Sequence, residues 1–147
     1  MVDVSAKPPT LRTAAASALI RLRPAVLTAL RRGAGPKGDP LEVARIAGIA
    51  AAKRTADLIP LCHPLPLTHI EVDIGYRRAG IALHTRVKTT ASTGVEMEAL
   101  TAAAVAALTV YDMCKALGHD VTIEITLDHK TGGARGEFRR GRIAAKT

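Results

Sequence analysis

The chain has 147 residues, of which 48% are hydrophobic and 23% are charged, a balance typical of globular proteins that excludes a disordered or collagen-like chain. This length predicts a single domain, residues 1–147, with an extended N-terminal tail over about residues 1–12. Its formal net charge of +8 favours an anionic partner, namely nucleic acid, a phosphorylated small molecule or an acidic surface. Because aromatic residues make up only 2%, we expect an aliphatic, alanine-rich core.

The first third of the chain predicts a strand and two helices after the tail. Residues 13–22 alternate weakly and indicate a strand, although their alanines favour helix. A short helix follows over 24–32 and ends at Gly33. The next helix begins at Asp39 with the capping box Asp-Pro-Leu-Glu and reaches about Arg54.

Beyond a loop over residues 55–67, apolar and polar residues alternate in the pattern of half-buried strands. The predicted elements are strands at 70–74 and 81–87 joined by a hairpin at 78–80, a helix at 94–116, and a strand at 121–128. The complete order is strand, helices, strand, strand, helix, strand. It predicts an α+β fold, a ferredoxin-like antiparallel sheet with helices packed on one face.

The helix over 94–116 carries its charges only near its ends, Glu96 and Glu98 at one and Asp112 and Lys115 at the other. A helix that is apolar all round must be buried all round, so we expect other subunits to complete its burial. Its uncharged stretch is shorter than the roughly 20 apolar residues of a membrane span, so no membrane partner is expected.

Cys62 and Cys114 are too few for a disulfide framework and lack a Cys-x-x-Cys spacing. Together with an acidic start that does not resemble a signal peptide, they predict a reducing, cytoplasmic location. Cys62 and His63 are neighbours on a proline-pinned segment, where successive side chains point to opposite sides. A buried thiol and a hydrogen-bonded loop imidazole are therefore favoured over a preformed nucleophile and base, and with His69 they have no zinc-ligand spacing.

Asp112 and Lys115 are three residues apart and share a helix face. By spacing alone they form either an ordinary surface ion pair or a proton acceptor and donor. Glu96 and Glu98 suit the positive pole of the helix dipole, so helix stabilisation is an alternative to a binding role for each.

Three segments carry long, distinctive motifs. Residues 53–64 read KRTADLIPLCHP, residues 94–103 read GVEMEALTAA and residues 110–115 read VYDMCK. Together they resemble the cyclic pyranopterin monophosphate synthase family of molybdenum cofactor biosynthesis. The similarity runs from MVDVS at the start of the chain to KTGG at 130–133, so it covers nearly the whole chain.

This resemblance implies a ferredoxin-like lyase that rearranges 3′,8-cyclo-7,8-dihydroguanosine 5′-triphosphate, a GTP-derived substrate, into the cyclic pyranopterin monophosphate and releases pyrophosphate. It implies a homohexamer, a trimer of dimers, with sites at the subunit interface. No redox cofactor and no protein-bound metal are implied, and a divalent cation accompanying the triphosphate stays possible.

Carried over by position, the resemblance implies catalytic roles for Asp112, Lys115, His63 and Lys37. The positions that it assigns to substrate binding are Leu61, Cys62, His63, Glu96, Met97, Glu98, Lys130, Lys7 and Arg12. The chain departs from the family at Ser92, where a lysine is frequent, and at residues 134–135, where Arg135 is the candidate to replace a second lysine.

A helical rise of about 1.5 Å per residue puts the backbones of Glu98 and Asp112 roughly 21 Å apart. We therefore expect the helix to connect two sites, each completed by a neighbouring chain. The alternative function is a basic ferredoxin-like nucleic-acid-binding module, but such modules stack bases on strand aromatics and only Tyr76 lies near a predicted strand. A purely structural role explains the apolar helix without explaining Asp112, Lys115 and His63 together.

Overall fold

The computed structural model describes residues 1–133 and 136–141. In this part of the chain, an antiparallel sheet carries helices on one face. The strands are β1 (Thr10–Leu22), β2 (Leu67–Arg77), β3 (Gly80–Ala91), β4 (Val121–Thr131) and β5 (Phe138–Arg139). The helices are α1 (Pro24–Arg31), α2 (Pro40–Lys53), α3 (Thr55–Leu58) and α4 (Glu96–Cys114), and a 3₁₀ turn over Lys115–Leu117 extends α4.

The sheet order is β2-β3-β1-β4-β5, and each of these neighbouring pairs is antiparallel. Strand β1 is central and pairs with β3 from Thr10 opposite Ala91 to Arg21 opposite Gly80. The chain therefore follows the β-α-β-β-α-β order of ferredoxin-like folds. The predicted α+β class is confirmed.

Strand β1 turns alternate residues toward the helices. Ala14, Ala16, Ala18 and Ile20 are at most 3% exposed, whereas the residues between them are only partly buried. The alanines therefore adopt a strand conformation, because burying one face of the sheet outweighs their preference for helix. Their small side chains form the floor on which α4 lies.

Helix α4 packs on β1, β3 and β4 and lies beside α2. At the crossing with α2, a Cβ on Gly48 would lie 3.1 Å from the Ala102 carbonyl oxygen, so the two helices meet closely. Within one chain, however, α4 is not buried all round. A stripe of Ala104, Val105 and Leu108 is left partly or fully exposed, with Leu108 56% exposed.

The 22 residues Glu96–Leu117 are long and apolar enough to cross a membrane, by length and composition only. This segment is longer than the uncharged stretch considered in the sequence. Its packing is that of a core helix, because ten residues of α4 are buried. They are Glu98, Ala99, Thr101, Ala102, Ala103, Ala106, Ala107, Val110, Met113 and Cys114.

Several element ends differ from the sequence predictions. The strands predicted at 70–74, 81–87 and 121–128 are longer in the structure, and the helix predicted at 94–116 is α4 followed by the 3₁₀ turn. Strand β1 begins at Thr10 rather than at residue 13, which shortens the predicted tail, and α3 interrupts the predicted loop over 55–67. The Asp39 carboxylate caps α2 by accepting from the Leu41 amide at 2.8 Å. The second half of the predicted capping box is wrong, because the Glu42 carboxylate pairs with Arg45 instead.

Candidate active site

A cavity of about 490 Å³ lies at the N-terminal end of α4. Its walls come from the N-terminal tail, the start of β1, the segment before β2, the segment between β3 and α4, the first turn of α4, and the end of β4 with the glycines that follow it. All nine residues that the resemblance assigns to substrate binding line it, namely Lys7, Arg12, Leu61, Cys62, His63, Glu96, Met97, Glu98 and Lys130.

The N-terminal tail is part of the cavity wall. His63 Nε2 lies 2.8 Å from the Val2 carbonyl oxygen and, since a carbonyl only accepts, the imidazole donates this hydrogen bond. Farther along the tail, the Lys7 amide donates to the Val4 carbonyl at 3.0 Å. The Ser92 hydroxyl donates to the Lys7 carbonyl at 2.7 Å. The tail thus crosses the cavity between His63 and Ser92.

Arg12 is a buried cation in this wall, with only 9% of the residue exposed. Its guanidinium donates to the carbonyls of Ala91 at 3.3 Å and Ser92 at 3.5 Å. On its other side, Gly132 and Gly133 have φ values of +89° and +82°. The backbone conformation favours glycine at 133, and a Cβ there would overlap Arg12 Nη1 and displace the guanidinium.

Two carboxylates and a thiol give the cavity its acidic side. Burial raises the pKa of Glu98, which is 4% exposed, and the neighbouring Glu96 raises it further. Burial and the charge of Glu98 both raise the pKa of the Cys62 thiol. Cys62 is therefore protonated at neutral pH, which makes it a poor nucleophile. No hydrogen bond joins it to His63 within the described residues.

A second charged cluster lies at the C-terminal end of α4. Lys37 from the loop before α2 bonds Asp112 Oδ2 at 2.5 Å, and Lys115 bonds Asp112 Oδ1 at 2.7 Å. These bonds, Lys115 first, lower the pKa of Asp112 to about 2. In turn, Asp112 raises the pKa of Lys115. At neutral pH the cluster is an ionised carboxylate held between two ammonium groups.

The two groups of residues are separate within one chain. None of Lys37, Asp112 and Lys115 lines the cavity, because α4 holds the cavity and the charged cluster at its opposite ends. Of the four residues expected to be catalytic, the structure brings these three together and leaves His63 in the cavity wall. The expected lysine replacement Arg135 lies outside the described residues.

Several cavity residues had no role assigned to them from the sequence, although Ser92 was noted as a departure from the family and Gly132-Gly133 as part of the resemblance. They are Val2, Val4, Leu65, Ser92, Thr93, Gly94, Gly132 and Gly133. Val2 acts here through its backbone carbonyl, which every residue has, so its side chain gave no signal. The pair Gly132-Gly133 was the one available sign, since adjacent glycines indicate a close backbone approach.

Fold and cavity together define an α+β domain with a small-molecule pocket in which basic side chains meet a helix N-terminus, an arrangement suited to anionic ligands. Within the described ranges, no group of three or more His, Cys, Asp or Glu side chains is arranged for a metal ion. The chain belongs to the MoaC family, whose sequence model matches residues 1–133. The resemblance seen in the sequence is thereby confirmed.

Three bacterial relatives, each named cyclic pyranopterin monophosphate synthase, cover nearly the whole chain. The protein of Deinococcus radiodurans is 58% identical over 140 residues, which span 95% of this chain and 83% of the relative. That of Thermomicrobium roseum is 57% identical over 143 residues, 95% of this chain and 86% of the relative. That of Brevibacillus brevis is 52% identical over 143 residues, 96% of this chain and 89% of the relative.

Proposed function

We propose that this chain is a cyclic pyranopterin monophosphate synthase. It is a lyase that converts 3′,8-cyclo-7,8-dihydroguanosine 5′-triphosphate into the cyclic pyranopterin monophosphate and pyrophosphate in molybdenum cofactor biosynthesis. The observation that carries the proposal is that one cavity gathers all nine expected substrate-binding residues, in a chain 58% identical to a protein of that name. The proposed enzyme works in the cytoplasm without a redox cofactor.

The cavity chemistry supports such a substrate. Lys7, Arg12 and Lys130 supply cations for phosphate oxygens, and these charges stabilise a leaving pyrophosphate. Glu96 and Glu98 supply acceptors, which suit the N–H donors on the edge of a guanine-derived ring. One wall therefore complements the triphosphate and the other complements the base.

Asp112 and its two lysines supply the acid and base chemistry of the proposed reaction. Ring opening and reclosure need groups that accept and donate protons. With a pKa of about 2, Asp112 is a weak base while both ammonium groups hold it. A substrate phosphate that draws one lysine away removes a bond that lowers this pKa, so binding of the anion strengthens the base.

We propose that two chains complete each site. The exposed stripe of Ala104, Val105 and Leu108 lies between the cavity and the charged cluster, and Ile125 of β4 is a further exposed apolar side chain. If two α4 helices pack antiparallel through these stripes, a two-fold axis brings the charged cluster of each chain to its partner's cavity. The same symmetry makes two identical sites, and three such dimers make the proposed hexamer.

The activity is tested directly by incubating the purified chain with the cyclised GTP. We expect the pterin product and pyrophosphate in equal amounts, measured by mass spectrometry and a coupled pyrophosphate assay. A repeat with a chelator tests whether a divalent cation accompanies the triphosphate. Absence of both products would reject the proposed function. Strong, salt-sensitive binding to oligonucleotides in the same preparation would favour the nucleic-acid-binding alternative.

The shared site is tested by mixing two inactive variants. Asp112→Asn removes the cluster from one chain, and Glu98→Ala damages the cavity of the other. In a mixed dimer, one of the two sites combines an intact cavity with an intact cluster. Random reassortment therefore restores about one quarter of the wild-type activity. If each site lies within one chain, every site in the mixture stays defective and no activity returns.

A further inference from the structure

The tail segment over residues 2–7 is held at two points above the cavity. His63 donates to the Val2 carbonyl at 2.8 Å, and Ser92 donates to the Lys7 carbonyl at 2.7 Å. Between these points the tail presents Val4 and Lys7 to the cavity. The tail precedes β1 and is outside the sheet, so these two bonds are what tie its backbone to the cavity wall.

The Ser92 anchor stands on a rigid part of the fold. Ser92 directly follows β3, whose last residue, Ala91, pairs with Thr10 of β1 and is 9% exposed. The same strand end holds Arg12, which donates to the carbonyls of Ala91 and Ser92. One strand end thus fixes two basic residues, Arg12 through its guanidinium and Lys7 through its backbone.

We infer that Ser92 is a positioning residue that orders the tail so that Lys7 meets the phosphate groups of a ligand in the cavity. The Ser92 hydroxyl has one hydrogen, and it is donated to the Lys7 carbonyl. Its effect on an anion is therefore exerted through Lys7. A lysine side chain on an unfixed tail loses more conformational entropy on binding than one whose backbone is already placed. This inference rests on the proposed function only in taking the ligand to be a polyphosphate.

The test measures pyrophosphate binding by calorimetry to the full chain and to Ser92→Ala, Lys7→Ala and the double variant. We expect Ser92→Ala to weaken binding about fivefold, the factor that one neutral hydrogen bond typically supplies. Lys7→Ala should weaken binding about tenfold, since it removes a charged donor. In the double variant, binding should equal that of Lys7→Ala, because Ser92 has no other route to the ligand.

Two matched variants separate positioning from general damage. Ser92→Thr keeps the hydroxyl and should restore binding to within about twofold of wild type. Ser5→Ala removes a hydroxyl that bonds Asp3 within the same tail, so it should leave binding unchanged. All variants should unfold at the same temperature as the wild type, because these side chains are outside the core.

Additive losses in the double variant would overturn the inference, since Ser92 would then act independently of Lys7. It is also overturned if Ser92→Ala binds like the wild type, if Ser92→Thr binds like Ser92→Ala, or if the wild-type chain binds no pyrophosphate. Because binding is measured without turnover, the outcome is separable from the proposed activity. A non-additive pattern in a chain that makes no pterin would support the role of Ser92 and reject the synthase.

Discussion

The two ends of α4 differ in enclosure and in charge. The N-terminal end borders a cavity of about 490 Å³ with Glu98 buried in its wall. At the C-terminal end, Lys37, Asp112 and Lys115 form a tight cluster whose side chains are each about half exposed. The N-terminal end has space for a ligand, and the C-terminal end has charged groups suited to proton transfer. Because the helical rise separates the two by about 21 Å, the proposed site combines them through a second chain.

The pKa values of the carboxylates at the two ends are also shifted in opposite directions. Burial raises the pKa of Glu98, whereas hydrogen bonds from Lys115 and Lys37 lower that of Asp112 to about 2. Environments that drive two carboxylates apart in pKa are typical of sites that divide proton transfer between groups. In the proposed shared site, each chain would supply one member of such a pair.

The largest effect is expected from Asp112→Asn, which keeps the shape of the side chain and removes its charge. Loss of a general base lowers kcat by about 10² to 10⁴. Because Asp112 is exposed, we expect the thermal unfolding of the chain to change little. Steady-state kinetics with the cyclised GTP measures the first effect and calorimetry the second.

Asp57→Asn is the matched control for this prediction. Asp57 pairs with Arg54 three residues away, as Asp112 pairs with Lys115, and it is likewise exposed. It lies neither in the cavity lining nor in the charged cluster, so its substitution should leave kcat unchanged. Equal losses from both substitutions would remove the case for a specific role of Asp112.

Much of the fold could be predicted because its signals are local. Alternation along β2 and β3, the Asp39 cap of α2 and the apolar run of α4 each depend on residues close in sequence. Strand β1 was uncertain because alanine favours helix when considered alone. Only the packing of α4 on the sheet makes a row of alanines suitable for a strand.

All nine residues expected to bind substrate line one cavity, but their roles stay predictions. Helical rise predicts about 21 Å between the backbones of Glu98 and Asp112, and α4 spans both residues. The contact of Lys37 with Asp112 spans 75 residues, and the tail is attached through the carbonyls of Val2 and Lys7. Neither leaves a local pattern, because the first is set by the tertiary fold and the second by the backbone.

Leu108→Glu tests whether the stripe on α4 joins the two ends across chains. In a single chain Leu108 is 56% exposed, so a carboxylate there should cost little stability. In a two-fold interface, two unpaired charges would be buried, and we expect the dissociation constant to rise at least about 100-fold. Analytical ultracentrifugation across a concentration series measures this change.

Leu108→Met is the control, because it keeps an apolar side chain of similar volume and should leave assembly intact. Activity of Leu108→Glu should fall together with the fraction of assembled chains. A variant that is monomeric and fully active would show that one chain suffices for the site.

Gly133→Ala tests the role of Arg12 in the cavity at the N-terminal end of α4. At a φ of +82° an alanine costs about 1 to 2 kcal/mol of stability, and its Cβ would overlap the Arg12 guanidinium. The flexible Arg12 side chain should move, so we expect pyrophosphate binding to weaken several-fold. Gly136→Ala is the control: Gly136 has a φ of +66°, and a new Cβ there meets open space. This variant therefore carries the backbone cost without an overlap with Arg12. Equal pyrophosphate affinities of the two variants would contradict the proposed role of Arg12.

The smallest effect is the change in stability expected from Glu98→Gln, because burial of the Glu98 carboxylate costs stability. Its folded-state pKa is raised, so the ionised carboxylate destabilises the fold above the usual glutamate pKa, and the cost disappears as pH falls below that value. Glu98→Gln should therefore raise the free energy of unfolding by roughly 1 kcal/mol at pH 7. Urea unfolding from pH 7 to pH 3 should show that this gain in the free energy of unfolding becomes smaller toward acid, while activity at pH 7 falls.

Glu96→Gln is the control, since Glu96 is less buried, and its substitution should give a smaller gain. A gain for Glu98→Gln that is independent of pH would mean that burial of the charge is not its cause.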